Sequence, residues 1–386
     1  MSVQGELSIC LTPHVAGIRS EISSSRPMHA AQLFVGKTIK QTLQTLPLLF
    51  NICAKAQAVT AVRAIESAVK LPINNRVESQ REALVCIESL REHSLQILMD
   101  WPSYINETIN NKALSDVVPS LNMLMQAFKP QQLLDFGAKI IEPASAQQIA
   151  LWQHCAQQLS NTIFGVPIKQ WPQDKLSSLE HWAEQQQTPA ARFIVWLNQQ
   201  DWKHAGHSNI KLLPEIDDLA LIRRLMEQQT QFTAQPDWQS SCYEASWFNY
   251  QQHHPIIRQL NHQKGNGIYT RMLARLIEVA DLMKKLHHYF MTGMILNQTV
   301  SRVNGLASTN AARGRLSHYI ELEHEVIKQF FILAPTEWNF HPQGVAAESL
   351  THLQDSSALQ LQADLLIRAI DPCVGYQLQI SAEVVH

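Results

Sequence analysis

No two of this chain's six cysteines stand three residues apart: Cys10, Cys53, Cys86, Cys155, Cys242 and Cys373 are scattered along 386 residues. That scatter excludes a zinc ribbon, which needs Cys-x-x-Cys pairs, and a disulfide-stapled secreted domain, which is short and cysteine-dense. Taken one at a time, such cysteines default to small buried hydrophobes. Net charge is nearly absent too. With 31 Lys and Arg against 33 Asp and Glu, a balance of -2, there is no electrostatic case for a nucleic-acid partner. No stretch rich in Gly, Ser and Pro interrupts the chain, so one interlocked unit over 1–386 is expected, although the length would allow two or three ordinary domains. Every apolar run carries charges or amides, which argues against a helical membrane span, and MSVQGELSIC has no basic region leading into an apolar core as a secretory signal would. A cytoplasmic location is expected. No nucleophile elbow, Gly-rich phosphate loop, His-Glu-x-x-His or EF-hand pattern occurs. The pairs His253-His254 and His287-His288 would diverge by about 100° on a helix, which argues against a shared metal.

What is present is a globular composition, 45% hydrophobic and 17% charged, with readable periods. ELSICLTPHVAGIRSEISSS alternates apolar and polar residues on both sides of Val-Ala-Gly, which predicts a hairpin over about 5–27. A helical bundle is predicted over about 28–305. Within it, PLLFNICAKAQAVTAVRAIESAVK reads as one buried helix with Pro47 in its first turn. ESQREALVCIESLREHSLQILMDWP reads as a long amphipathic helix stopped by Pro102, and GIYTRMLARLIEVADLMKKLHHYF as a second long helix whose Arg, Lys and His form a solvated face. Residues 103–262 between them give several shorter, Gln-rich helices. From about 311 to 386 the period changes. ARGRLSHYIELEHEVIKQFFILAPTEWN reads as two strands turning near Glu323 and His324, with Pro335 ending the second. SALQLQADLLIRAI reads as a last helix ended by Asp371-Pro372, and YQLQISAEVV as a closing strand. The expected class is α+β, mostly α: a helical bundle with small β-sheets made from the N- and C-terminal parts.

Four stretches in order carry a more specific signal. AARGRLSHYIELEHEVIKQFFILAPTEWNFHPQG resembles the Ala-Pro-Arg-Gly-x-Leu-x-His hairpin and Pro-Thr-x-Trp-Asn of nickel-iron hydrogenase large subunits. IRAIDPC resembles that family's Arg-Ser-Phe-Asp-Pro-Cys. NICAKAQAVTAVRAIESA is similar to its helix opening Cys-Gly-Ile-Cys-x-x-x-His, and EHSLQILMDWP to the helix after it. In that family two cysteine pairs hold nickel, and two of the four thiolates bridge to an iron carrying cyanide and carbon monoxide. Soft thiolates suit both metals. Carried over residue by residue, Cys53 and Cys373 each keep one member of a pair, while Phe50 and Tyr376 replace the others, so no complete nickel site is expected. Gln57 stands for the N-terminal histidine, Gln379 for the histidine marking the maturation cleavage point, and Gln4 for a proton-carrying glutamate that an amide cannot replace. CYEASWFNY keeps only Glu244 of the family's Glu-Thr-Gly-x-Leu-Ala-Arg.

Arg313 matches the arginine that lies over the iron's diatomic ligands. A guanidinium there would donate to cyanide nitrogen and favour nearby thiolates, since an unperturbed thiol is mostly protonated at neutral pH. Arg313 could instead simply pair with a buried carboxylate such as Asp371. The pattern resembles the HupK/HoxV type of hydrogenase maturation protein. That resemblance implies a non-catalytic scaffold on which an Fe(CN)2(CO) fragment is assembled or held, with Cys53 and Cys373 as metal ligands and Arg313 supporting the cyanides. The implied partners are a hydrogenase large-subunit precursor, a small HypC-type chaperone and a HypD-type iron carrier. Two alternatives remain open: a divergent hydrogenase subunit, which would contain nickel and take up hydrogen, and a metal-free structural subunit similar to the quinone-reacting subunit of complex I. On the site reading, Phe50 and Tyr376 form a matched loss, rings in place of thiolates that would fill the nickel volume. Cys10, Cys86, Cys155 and Cys242 stay structural, and the Gln-rich middle is a candidate docking face.

Overall fold

The alternating N-terminal segment forms the hairpin its period predicts. In the computed structural model, which describes residues 5–15, 17–27, 29–139, 142–202, 204–296 and 300–381, strands β1 (Glu6–His14) and β2 (Gly17–Ser24) pair antiparallel. Leu7, Ile9 and Leu11 turn one face of β1 into the core, joined by Ile18 and Ile22 of β2, the period-2 stripe of a sheet buried on one side. The third strand comes from far along the chain. The predicted closing strand, β7 (Gly375–Ile380), lies parallel to β1 with Glu6 beside Gly375, giving the order β2-β1-β7.

Helices fill the interval, with two departures from the sequence reading. A capping box between Thr38 and Gln41 starts helix α1 (Ile39–Leu49), so Pro47 falls in its last turn rather than in the first turn of the next helix. The chain then breaks at 50–53 before α2 (Ala54–Ala68), which places Cys53 at the N-cap of α2. Helix α3 (Asn75–Leu95) does not stop at Pro102. It passes through a π-helical turn, Gln96–Asp100, into helical Trp101–Tyr104, the wider turn falling where the proline ring would strike the preceding carbonyls.

Nor is α3 amphipathic in the ordinary sense, since Glu78, Arg81, Glu88, Glu92 and His93 are as buried as Leu84 and Leu90. The charges of Glu78 and Arg81 are tolerated in the interior because they are paired. Arg63 lies 2.7 Å from Glu78, Arg81 lies 2.8 Å from both Glu66 and Glu78, and Arg302 lies 2.8 Å from Glu66. The long helix Ile268–Thr292 repeats the lesson: Lys284 and His287 are exposed, but Arg271 and Arg275 are fully buried. Polar periodicity thus marks an interior ion-pair layer where a solvated face was expected.

The second sheet holds β3 (Arg302–Val303), β4 (Leu306–Ala311), β5 (Gly314–Glu323) and β6 (Val326–Leu333) in that order. β5 and β6 turn at His324 and Glu325, both with positive φ, one residue beyond the predicted Glu323 and His324. Ala307 and Ile320 of this sheet pack on Ala61, Ala64 and Ile65 of α2. A short helix, Pro335–Asn339, follows β6, and the final helix, Leu359–Ile370, ends as predicted at Asp371, which adopts the left-handed conformation with φ 70°. Among the described residues no helix is long and apolar enough to cross a membrane.

Candidate metal-holding site

Three segments distant in sequence meet at one small cavity. Cys53 enters from the break between α1 and α2, Arg313 from the two-residue turn between β4 and β5, and Cys373 from the link between the final helix and β7. All three line a cavity of about 30 Å³ together with Arg26, Phe50, Gln57 and the apolar side chains of Ile52, Leu316 and Val374. The residues singled out in sequence are therefore brought together.

Each is held by local chemistry. Cys373 donates its backbone N–H to Thr336 Oγ1 at 3.1 Å, and the same hydroxyl donates back to its Sγ at 2.9 Å. Arg313 Nη1 lies 3.5 Å from Cys53 Sγ, Nη2 lies 3.1 Å from Glu92, and Nε lies 3.4 Å from both Asp371 and the Pro372 carbonyl. The pairing with Asp371 weighed as an alternative is thus present, and it coexists with the contact to Cys53. Asp371 also pairs with Arg275 at 3.4 Å, so one carboxylate ties the β4–β5 turn to the long helix. The turn itself needs Gly314. Its φ is 131°, and a Cβ there would lie 1.9 Å from the Ala245 carbonyl oxygen, to which Arg315 N–H donates at 3.0 Å.

The protonation of Cys53 differs from the expected thiolate. Burial pushes its thiol up to about 12, and the pull of Arg313 recovers only part of that. Without metal, Cys53 is a thiol at neutral pH, and an incoming soft metal has to displace its proton. The N-terminal amides of α2 offer no relief, because Glu88 accepts the N–H groups of Lys55 at 2.8 Å and Ala56 at 2.9 Å. Burial pushes the Glu88 carboxyl up to about 7 despite those hydrogen bonds. A carboxyl that titrates near 7 folded and near 4.3 unfolded binds more protons in the native state, so its contribution is full below the unfolded value and is lost as pH rises through 7. Glu88→Gln is accordingly expected to flatten the decline in melting temperature between pH 5 and pH 7.5; an unchanged slope would contradict it.

The aromatic replacements do not form a matched pair. Phe50 lines the cysteine cavity, but Tyr376 does not: its hydroxyl donates to Asp364 of the final helix, with the Arg368 guanidinium 5.9 Å from its ring. Strand geometry decides this, because β7 runs off along β1 and carries residue 376 away from the cavity. Gln57 lies on the cavity wall and meets His318 Nε2 at 2.9 Å. Gln379 is exposed on β7, and Gln4 lies outside the described residues. Glu244 is fully buried and gripped by Arg271 at 2.6 and 2.8 Å, a structural pairing. Among the described residues no group of three or more His, Cys, Asp and Glu side chains is arranged to hold a metal. The donor set that remains, two cysteine sulfurs beside guanidinium donors and apolar walls, suits a soft iron whose other ligands accept hydrogen bonds. Sequence reasoning missed Thr336, Glu92 and Arg26. Thr336 lies inside the Pro-Thr-x-Trp-Asn match, whereas nothing in SSSRP marks Arg26.

Comparison with known proteins follows the same line. The family described as nickel-dependent hydrogenase matches residues 257–375. The hydrogenase expression/formation protein HoxV of Cupriavidus necator is 26% identical over 93% of this chain and 92% of its own. HupK of Bradyrhizobium diazoefficiens, also a hydrogenase expression/formation protein, is 25% identical over 94% and 92%. Of solved structures, the Ni-Fe-Se hydrogenase of D. vulgaris Hildenborough is similar with a TM-score of 0.61 at 11% identity, over 93% of this chain and 94% of that one. The [NiFeSe]-hydrogenase of Dm. baculatum gives 0.62 at 11% identity over the same shares, 93% and 94%. At such identities these structures establish the fold, that of a hydrogenase large subunit, mostly α with small sheets.

Proposed function

We propose that this chain, which belongs to the HupK/HoxV-type hydrogenase expression/formation proteins, serves hydrogenase maturation as a scaffold that holds an Fe(CN)2(CO) fragment before its transfer to a hydrogenase large-subunit precursor. The observation that carries this reading is the shared cavity: Cys53 and Cys373 face one small space, with Arg313 hydrogen-bonded to Cys53. In this reading both sulfurs bind the iron of the cargo as thiolates, Cys53 giving up its proton to solvent. Arg313, fixed by Glu92 and Asp371, donates hydrogen bonds to cyanide nitrogen. The Phe50 ring occupies wall space beside Cys53 and supplies no thiolate, so nickel would lack the four-sulfur cage it needs. This supports a holding role without turnover. Donor and acceptor partners would be the HypC-type chaperone, the HypD-type iron carrier and the precursor, all in the cytoplasm.

The test is infrared spectroscopy of the protein purified from cells expressing the maturation machinery. Cyanide and carbonyl stretching bands are expected in the wild type and absent from the C53A, C373A double variant. Bands missing from the wild type, or surviving in the double variant, would overturn the proposal.

A further inference from the structure

The two cysteines do not share one cation; each has its own. Arg26, just beyond the end of β2, places Nη1 3.3 Å from Cys373 Sγ, as Arg313 does for Cys53. The same nitrogen lies 2.7 Å from Glu337 Oε1, in a pair only 15% and 17% exposed. Glu337 is half satisfied: its Oε2 is buried without a hydrogen-bond partner among the described residues. The backbone at Arg26 is fixed from across the sheet end, where Gly5 has φ 70° and an added Cβ would lie 2.5 Å from Arg26 Cα. A tightly placed backbone thus carries a long side chain held at its tip by a single incompletely bonded carboxylate.

Arg26 also stands between two spaces. With Phe50 and Ala334 it lines both the cysteine cavity and a neighbouring cleft of about 530 Å³ formed by the end of the hairpin, the 230–235 segment and β6. The cysteine cavity, about 30 Å³, has room for only about two waters, less than an iron with three diatomic ligands needs. A lining side chain therefore has to shift to admit cargo, and those shared with the cleft are the candidates. Ala334 has no side chain that can swing, and Phe50 is a stiff ring at the end of α1. Arg26 has several rotatable bonds and a charge that the cargo can recruit.

Building on the scaffold reading above, we propose that Arg26 is a second cargo-binding residue and the movable wall between cleft and cysteines, exchanging Glu337 for the anionic ligand set. The charge arithmetic favours the exchange. A ferrous iron with two cyanides is neutral, and two thiolates leave it doubly negative, so a guanidinium at each sulfur lowers the cost of holding it. The cleft is then the side from which the fragment arrives and leaves.

The proposal is tested by the same infrared bands, with iron content per folded protein, in R26Q, R26K and E337Q beside the wild type. R26Q is expected to hold about tenfold less fragment, the equivalent of one lost charge-assisted hydrogen bond, with shifted cyanide bands in what remains. R26K, which keeps the charge and loses the planar fork, restores part of the intensity but not the band positions. E337Q releases Arg26 without removing it and raises loading above wild type. Wild-type intensity and band positions in R26Q would overturn the proposal, as would E337Q falling in parallel with R26Q, since that marks the pair as a structural brace. A wild type without bands would sink the scaffold reading itself, and this inference with it.

Discussion

Gly314→Ala is expected to destabilise the protein by about 3 kcal/mol or more and to remove the cyanide and carbonyl bands. Two costs combine at this position. The φ of 131° is one that L side chains rarely adopt, and the new methyl would lie 1.9 Å from the Ala245 carbonyl oxygen, a backbone atom that cannot rotate away. Relief requires the β4–β5 turn to lift off the 245 segment, breaking the hydrogen bond from Arg315 N–H to Ala245 and carrying Arg313 with it. Denaturant unfolding measures the first effect and infrared spectra of the folded fraction the second. A variant as stable as wild type with intact bands would show that neither the turn nor the placement of Arg313 depends on glycine.

Glu244→Ala is expected to cost about 3–5 kcal/mol, the penalty for leaving a buried charge unpaired. Arg271 is 0% exposed and donates to both carboxylate oxygens of Glu244, at 2.6 and 2.8 Å. Its guanidinium also sits 4.7 Å from the Phe248 ring, too weak an attraction to offset the loss. Adding Arg271→Met removes the stranded charge and is expected to recover most of the stability, because a buried ion pair replaced whole by apolar volume is nearly neutral. A double-mutant cycle in denaturant gives both numbers. If Glu244→Ala alone is mild, Arg271 has found another partner. If the bands per folded protein fall in the single variant, Glu244 acts on the site as well as on the fold.

Glu244 also shows where reading the sequence succeeds and where it stops. That this glutamate survives from a longer family motif is legible in CYEASWFNY; that its partner is Arg271, on a helix whose arginines read as a solvated face, is not. Helical periodicity reports which residues share a face but not whether that face meets water or another buried charge. The same blindness made α3 look amphipathic, although its Glu78 and Arg81 are interior ion-pair partners. Pro47 and Pro102 misled for a related reason: proline restricts its own turn, while an upstream capping box or a π turn decides where the helix begins or continues.

The sequence by itself determined the α+β class, the hairpin with its turn near residue 15, the second turn to within one residue and the end of the last helix at Asp371, and it singled out Cys53, Arg313 and Cys373 as candidates. These follow from local period, turn chemistry and motifs that lie contiguous along the chain. Only the tertiary structure decided that the three residues line one cavity and that Tyr376 points away from it. It alone showed Cys53 held as a thiol and Arg26 brought across from the hairpin to the second cysteine. The physical reason is that burial, charge pairing and cavity shape depend on segments hundreds of residues apart, and no local pattern around SSSRP records what its arginine will meet.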